Sequence, residues 1–256
     1  MTPTLFVSHG SPSLMLEHGG SRDFLAGLGT RIGRPNAIVC VTAHWESVNP
    51  VVSLAAQPET IHDFYGFPPE MYRIRYPAPG DPALGQRILG LLSNAGIQAS
   101  GDAGRGIDHG VWSPLALMYP AADIPVVAIS VQPGLGFHDH LAVGRALRPL
   151  RNEGVLIMGS GSATHNLREL GRQTPHAATF ETWLVQAAQE GRADDIAHAD
   201  TLGPHYLRNH PSPEHFLPIF APLGAACDDS GTTAKAEALN RVFDYGSLSM
   251  AALLWR

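Results

Sequence analysis

Three histidines sit where short apolar runs give way to Gly/Ser-rich turns: His9 in SHGSP, His44 in AHWES and His165 in GSGSATHNL. One such histidine is ordinarily a structural hydrogen-bonder. Three at equivalent points of separate segments, each in a polar turn, point instead to a shared metal ion. Neutral imidazole is the commonest transition-metal ligand near neutral pH. Glu214 and His215 form a further pair, in HPSPEHFLPIF. With Ser212 as N-cap they would be the second and third residues of a helix, about 100° apart around its axis. One of the two is then expected to face a given pocket as a ligand, with the other behind it or toward solvent. His109, in GIDHGVWSPL, reads equally as a pocket residue or as a loop histidine bonded to its neighbour Asp108. His62, in IHDFYGF, reads equally as the wall of a substrate pocket or as an exposed residue.

Other chemistries lack their residues. There is no GxSxG elbow for a hydrolase serine. GSGSA at 159–163 has neither the Lys-Ser/Thr ending of a phosphate loop nor the spacing of a dinucleotide fingerprint. Lys235 is the only lysine, which leaves Schiff-base chemistry one poor candidate. Cys40 lies inside an apolar run and Cys227 has no base placed beside it. Two cysteines make neither a disulfide framework nor a cysteine zinc site.

The elements that must carry the histidines are short apolar strands alternating with helical patterns. TLFVS (4–8), AIVCVTA (37–43), IQAS (97–100), PVVAISV (125–131) and GVLIMGS (154–160) read as strands. Asp81 is positioned to N-cap a helix with Pro82 at its first position and Gly96 just past its end. Residues 137–152 and 176–190 read as amphipathic helices. Ser113-Pro114 and Ser212-Pro213 each read as the opening of a helix. The proline-rich region 50–80 reads as one long irregular excursion, of the kind that is usually functional. VFDYGSLSMAALLW reads as strand, turn and strand. Alternation of this kind implies an α/β fold: a single domain over 1–256, with a mostly parallel or mixed central sheet and helices on both faces. Open α/β sheets place ligands at the carboxyl ends of their strands, where His9, His44 and His165 fall.

Composition narrows the class further. The chain has 256 residues, 44% hydrophobic and only 16% charged. So low a charged fraction suggests a homo-oligomer. A net charge of -6 without a basic run makes nucleic acid and anionic membrane poor partners. No apolar stretch reaches the ~18 residues of a membrane span, and no signal-like leader is evident. A cytoplasmic location is expected.

Seven motifs occur in order: SHGSPSLML, TAHWES, IHDFYGFPPEMYRIRYPAPG, DHGVWSPL, GSGSATHNL, NHPSPEHFLP and YGSLSMAALLW. Together they resemble the DOPA 4,5-dioxygenase type of class III extradiol ring-cleavage dioxygenases, over nearly the whole chain. The resemblance implies a divalent metal and cleavage of a catechol by O2 to a muconic semialdehyde. It implies His9 and His44 as amino-terminal metal ligands and His215 as the carboxy-terminal ligand. Glu214 is the alternative, because protocatechuate dioxygenases of the superfamily use two histidines and a glutamate. His165 matches a histidine that serves as fourth ligand or as active-site base, and His109 one that assists proton transfer. His62, Phe64, Tyr65 and Phe67 are expected around the ring, with Arg73 or Arg75 on a substrate carboxylate. Fe2+ is the ion the chemistry needs. Zn2+, which members of this branch hold, is redox-inert. Two rival readings use the same residues: a zinc-dependent hydrolase or amidase, with His165 activating water, and a non-catalytic binding protein of the superfamily.

Overall fold

Along each central strand the side chains alternate between two apolar faces. Leu5 and Val7 oppose Phe6, Ile38 and Cys40 oppose Val39 and Val41, and Leu156 and Met158 oppose Val155 and Ile157. Strands apolar on both sides must be covered on both sides, and parallel pairing through helical crossovers achieves this. In the computed structural model, which describes residues 1–228 and 230–256, the strands are β1 (Thr4–Ser8), β2 (Ala37–Glu46), β3 (Val51–Ser53), β4 (Ser100–Asp102), β5 (Val126–Val131), β6 (Val155–Gly161), β7 (Ala236–Asn240), β8 (Phe243–Asp244), β9 (Leu248–Ser249) and β10 (Ala252–Trp255). One sheet of eight runs in the order β4-β3-β5-β2-β6-β1-β10-β7, and β8 with β9 forms a separate hairpin. The four middle strands β5, β2, β6 and β1 are parallel, while β10 and β7 extend the sheet antiparallel beyond β1.

The helices are α1 (Gly20–Ile32), α2 (Pro82–Asn94), α3 (His109–Met118), α4 (Phe137–Leu147), α5 (Pro175–Glu190), α6 (Ala193–Ile196), α7 (Ala199–Leu202), α8 (Tyr206–Asn209) and α9 (Phe220–Ala225). Leu25 and Leu28 of α1 join Val111, Trp112 and Leu115 of α3 on one face of the sheet. Ile88 of α2, Leu141 of α4, Phe180 of α5 and Leu223 of α9 cover the other. The expected mixed sheet with helices on both faces is therefore present. Asp81 caps α2 as expected, its Oδ1 accepting from the Leu84 amide at 2.9 Å.

Four local expectations shift. Within the excursion 50–80, Val51–Ser53 pairs with β4 and β5, and Met71–Arg73 makes a single 3-10 turn, because buried Val52 and Met71 anchor each piece. The strand expected at 97–100 begins only at Ser100, since the Ile97 amide still bonds Leu92 O in the turn closing α2. The helix expected to open at Ser113-Pro114 opens at His109, with Asp108 as its N-terminal flanking residue and Pro114 inside it. No helix starts at Pro213. Residues 211–216 are turns followed by a 3-10 turn over Leu217–Ile219, because Pro218 has no N–H to give the Glu214 carbonyl. The chain end forms the β8–β9 hairpin through Tyr245 and Gly246, both at positive φ, and then β10. Among the described residues, no helix is long and apolar enough to cross a membrane.

The segment bearing His215 lies directly on the end of β6. A Cβ on Gly161 would sit 2.2 Å from the His215 carbonyl oxygen, which already accepts from the Ser162 amide at 2.8 Å. Gly161→Ala must therefore push the 215 segment off the sheet and is expected to cost ~1–3 kcal/mol of stability. Gly27→Ala, on open space in α1, is expected to be neutral or mildly stabilising. Urea unfolding of both variants checks the contrast. Equal stabilities would show that the contact is soft.

Candidate active site

β1, β6 and β2 lie side by side and parallel, so their carboxyl ends open on one edge of the molecule. His9 follows β1, His44 lies near the end of β2, and the turn after β6 leads through Ser162 to His165. The Ser162–His215 bond brings His215 to the same place, and α3 opens there with His109. Five imidazoles thus meet. Ring centroids are 5.0 Å apart for His9 and His44, 5.5 Å for His9 and His215, and 4.9 Å for His44 and His215. His109 lies 3.9 Å from His44, and His165 lies nearly parallel to His215 at 3.4 Å.

What stands behind each ring decides what its inward nitrogen can do. Pro114 has no N–H, so the Gly110 carbonyl lacks its helical donor, and Ser160 Oγ donates to that carbonyl instead. With its proton so committed, Ser160 Oγ accepts from His9 Nδ1 at 3.0 Å. Asp63 Oδ2 lies 3.2 Å from His44 Nδ1, placed to accept its proton, and Glu214 Oε1 takes that of His215 at 2.9 Å. These partners assign the tautomers, leaving a lone pair on the Nε2 of all three rings. The Nε2 atoms of His9 and His44 then face one another at 3.1 Å. Two lone pairs at that distance repel, and a cation between them turns the repulsion into coordination.

His9, His44 and His215 each offer a ligand atom within 4.8 Å of the others. Two overlapping groups meet the same limit: His44, Asp63 and His109, and His165, Glu214 and His215. Only in the first group does every ring face an acceptor that is not itself a member of the group. Burial, then the neighbouring imidazoles, holds His9 and His215 well below the usual histidine range. Burial and His109 bring His44 to about 3, and burial brings His165 to about 4 against the pull of Glu214. All four are neutral near pH 7, the form that binds metal. For Asp63, burial pushes the carboxyl up, but its contacts with His109 and His44 outweigh this and hold it at about 2.

A cavity of about 340 Å³ opens above the imidazoles. His9, His44, His109, His165 and His215 line it, together with Phe64, Phe67, Leu167, Leu170 and Leu248. Two expected residues stand elsewhere. Tyr65 is 92% exposed, because the turn that aims Phe64 and Phe67 inward sends it out. His62 sits behind Phe64, its Nε2 bonded to the Ile74 carbonyl at 3.0 Å and its ring edge-on to Phe64 and Trp112. Asp63 and Ser160 were not singled out in the sequence, although both lie inside quoted motifs. The signal for them is indirect: a histidine ligand needs an acceptor behind it, and a short polar residue must supply one.

Histidines gathered at the carboxyl ends of parallel strands, with their outer nitrogens fixed, define an α/β protein whose site is suited to a metal ion. Residues 3–252 match the catalytic LigB subunit of aromatic ring-opening dioxygenase, and the chain belongs to that family. Among its relatives, the 4,5-DOPA dioxygenase extradiol of Beta vulgaris is 41% identical over 254 residues, 96% of this chain and 93% of that one. Its namesake in Escherichia coli K12 is 38% identical over 264 residues, 98% and 93% of the two chains. A crystal structure of an uncharacterized protein from Escherichia coli K12 superposes with a TM-score of 0.80 at 32% identity, over 100% of each chain. Family and relatives bear out the ring-opening reaction class expected from the motifs.

Two predictions follow from the geometry. Removing the acceptor shared by His44 and His109, Asp63→Ala, is expected to weaken metal binding ~10–100-fold with the fold retained. Competition against a chelator measures this, and unchanged affinity would remove Asp63 from its positioning role. The second concerns acid. His44 and buried His210 both have folded pKa values of about 3, below the ordinary 6.5, so protons bind the unfolded chain more strongly. Their contribution to stability is complete above pH 6.5 and is lost as pH falls below it. Each should cost about 2 kcal/mol at pH 5 in the metal-free protein. Denaturant midpoints that stay constant from pH 7 to pH 5 would contradict this.

Proposed function

We propose that this chain opens the ring of a catechol, a DOPA-like dihydroxyphenyl compound, with O2, using a divalent iron held by His9, His44 and His215. The observation that carries the ligand assignment is the convergence of His9, His44 and His215, whose Nδ1 atoms face Ser160, Asp63 and Glu214 and whose ligand atoms lie within 4.8 Å of one another. The 4,5-DOPA dioxygenase names of the relatives support the substrate class and favour ring opening over hydrolysis on the same histidines. His9, His44 and His215 would hold the iron, which when bound would supply Lewis acidity toward a catechol hydroxyl and a redox path to O2.

The protein's own side chains do the remaining work. Ser160, Asp63 and Glu214 hold the three ligand rings so that metal binding needs no rearrangement. Phe64 and Phe67, 5.1 Å apart and near perpendicular, flank the ring of the substrate and exclude water from it. His165 takes the second phenolic proton. Its ring lines the cavity, has no hydrogen bond to protein among the described residues, and is held neutral by burial, so its lone pair is available. His109 delivers a proton later in the reaction. Asp63 Oδ1 accepts from its backbone N–H at 2.9 Å, and Oδ2 lies 2.9 Å from Nδ1. Glu214 serves as the acceptor behind His215, not as a ligand. The protein works in the cytoplasm, where both buried cysteines stay reduced.

Iron-loaded protein is expected to consume O2 with DOPA, and protein loaded with zinc alone, checked for trace iron, to consume none. His165→Ala should keep its metal and lose ~10²–10⁴ in rate, and His109→Ala should lose less. His9→Ala should lose the metal itself. Metal analysis beside oxygen-electrode rates separates these outcomes. A His165→Ala protein as metal-free as His9→Ala would make His165 a ligand and leave the base to be sought elsewhere.

A further inference from the structure

We propose that His138 and His198 form a second metal site, on the outer surface of the chain, that binds a divalent cation of the zinc type. The site shares no residue with the cavity and is independent of the ring-opening reading.

The two rings come from separate elements. His138 is the second residue of α4, and His198 immediately precedes α7. Both are exposed, and their Nε2 atoms face one another at 3.3 Å, with ring centroids 4.7 Å apart and ring planes at 72°. The other nitrogen of His198 is committed. A backbone carbonyl only accepts, so Nδ1 donates to the Asp194 oxygen at 2.7 Å and the neutral ring keeps its lone pair on Nε2. A histidine that ligates metal has this arrangement, with its outer N–H given to a carbonyl or carboxylate. His138 stands in solvent, where water can take its Nδ1 proton and leave a second lone pair facing the first.

The spacing suits a tetrahedral ion. Two Zn–N bonds of about 2.05 Å at the tetrahedral angle hold their nitrogens about 3.3 Å apart. Without an ion the same pair can share one N–H as a hydrogen bond, and the test below separates the two states. Exposure of both rings lets water fill the remaining positions of the ion. Imidazole nitrogen suits zinc, copper or nickel, whereas magnesium and calcium prefer oxygen. The surrounding charge favours a cation. Asp139, Asp194 and Asp200 lie within four residues of one or other histidine. Arg192, the only arginine or lysine between 190 and 202, is bonded to Glu190 and Asp195.

An ion here would join α4 to a stretch with little internal support. α6, α7 and α8 are four residues each, too short to stand as isolated helices. The stretch ends at Asn209, whose carbonyl accepts from the His165 amide at 2.9 Å. A bridge between His138 and His198 therefore steadies the segment on which His165 rests.

The test titrates ZnCl2 by calorimetry into protein whose active site already holds one equivalent of zinc. A further equivalent should bind. His138→Ala and His198→Ala should each weaken it by at least the ~10–100-fold that losing an outer partner of a ligand costs. The first equivalent should bind both variants as it binds the parent, which also shows that they are folded. Excess Mg2+ should leave the further equivalent in place. Excess zinc should raise the urea midpoint of the parent more than that of either variant, because an ion that binds the folded chain stabilises it. Absence of a further equivalent overturns the proposal and leaves a hydrogen-bonded pair. Undiminished binding of that equivalent in either variant overturns it too, as do displacement by Mg2+ and equal shifts of the midpoints.

Discussion

The site depends on a carbonyl oxygen that its own helix cannot use. Pro114 gives no N–H to Gly110, so the Gly110 oxygen turns to the hydroxyl of Ser160 on the neighbouring strand. That single donation fixes the direction of the next bond. Ser160 can then only accept from His9, and His9 can only present an unprotonated nitrogen to the cavity. A helix, the central strand and the first strand are joined through one chain of three groups. Breaking the helical ladder at Pro114 is repaid by a defined tautomer, as a buried polar group must find a partner somewhere.

His44 and His215 reach the same state by other means, each with a carboxylate in place of a hydroxyl. A carboxylate makes a ring a stronger donor to a cation, and a hydroxyl leaves the charge nearly unchanged. The protein thereby sets two negative charges behind a cluster of neutral rings that burial prevents from protonating. Packing is equally one-sided. Gly159 and Gly161 let the 215–218 segment lie on the sheet at backbone contact, where any side chain would wedge it away. Electrostatics favours a cation among these rings, and close packing holds the rings in place.

The central strands and the long helices were legible because their periodicity is strong and both sheet faces are apolar. His9 and His44 were legible as strand-end residues for the same reason. The start of α3 was not, because Ser113-Pro114 is a persuasive opening, and only tertiary contact shows a proline tolerated inside a helix whose freed carbonyl is used elsewhere. The 213 helix failed in the opposite sense. Ser212-Pro213 is a good start, but Pro218 ends the ladder before it forms, so Glu214 and His215 are arranged by a turn and not by the expected helical angle. That the two share one hydrogen bond follows from this turn. Tyr65 illustrates a limit of composition: three aromatic side chains in FYGF alternate in direction, and no property of their types says which one faces solvent.

The first strand lies between two strands that come much later in the chain. β1 has β6 on one side and β10 on the other, paired as far apart as Thr4 with Trp255. During synthesis its backbone groups have no sheet partner until most of the chain has emerged, and closing loops of that length is slow. His9 and His215 can therefore meet only once the chain between them has emerged. The nascent chain carries its histidines unpaired and solvated for most of that time, so they can bind a cation only loosely. Choice among metal ions then falls to the finished pocket.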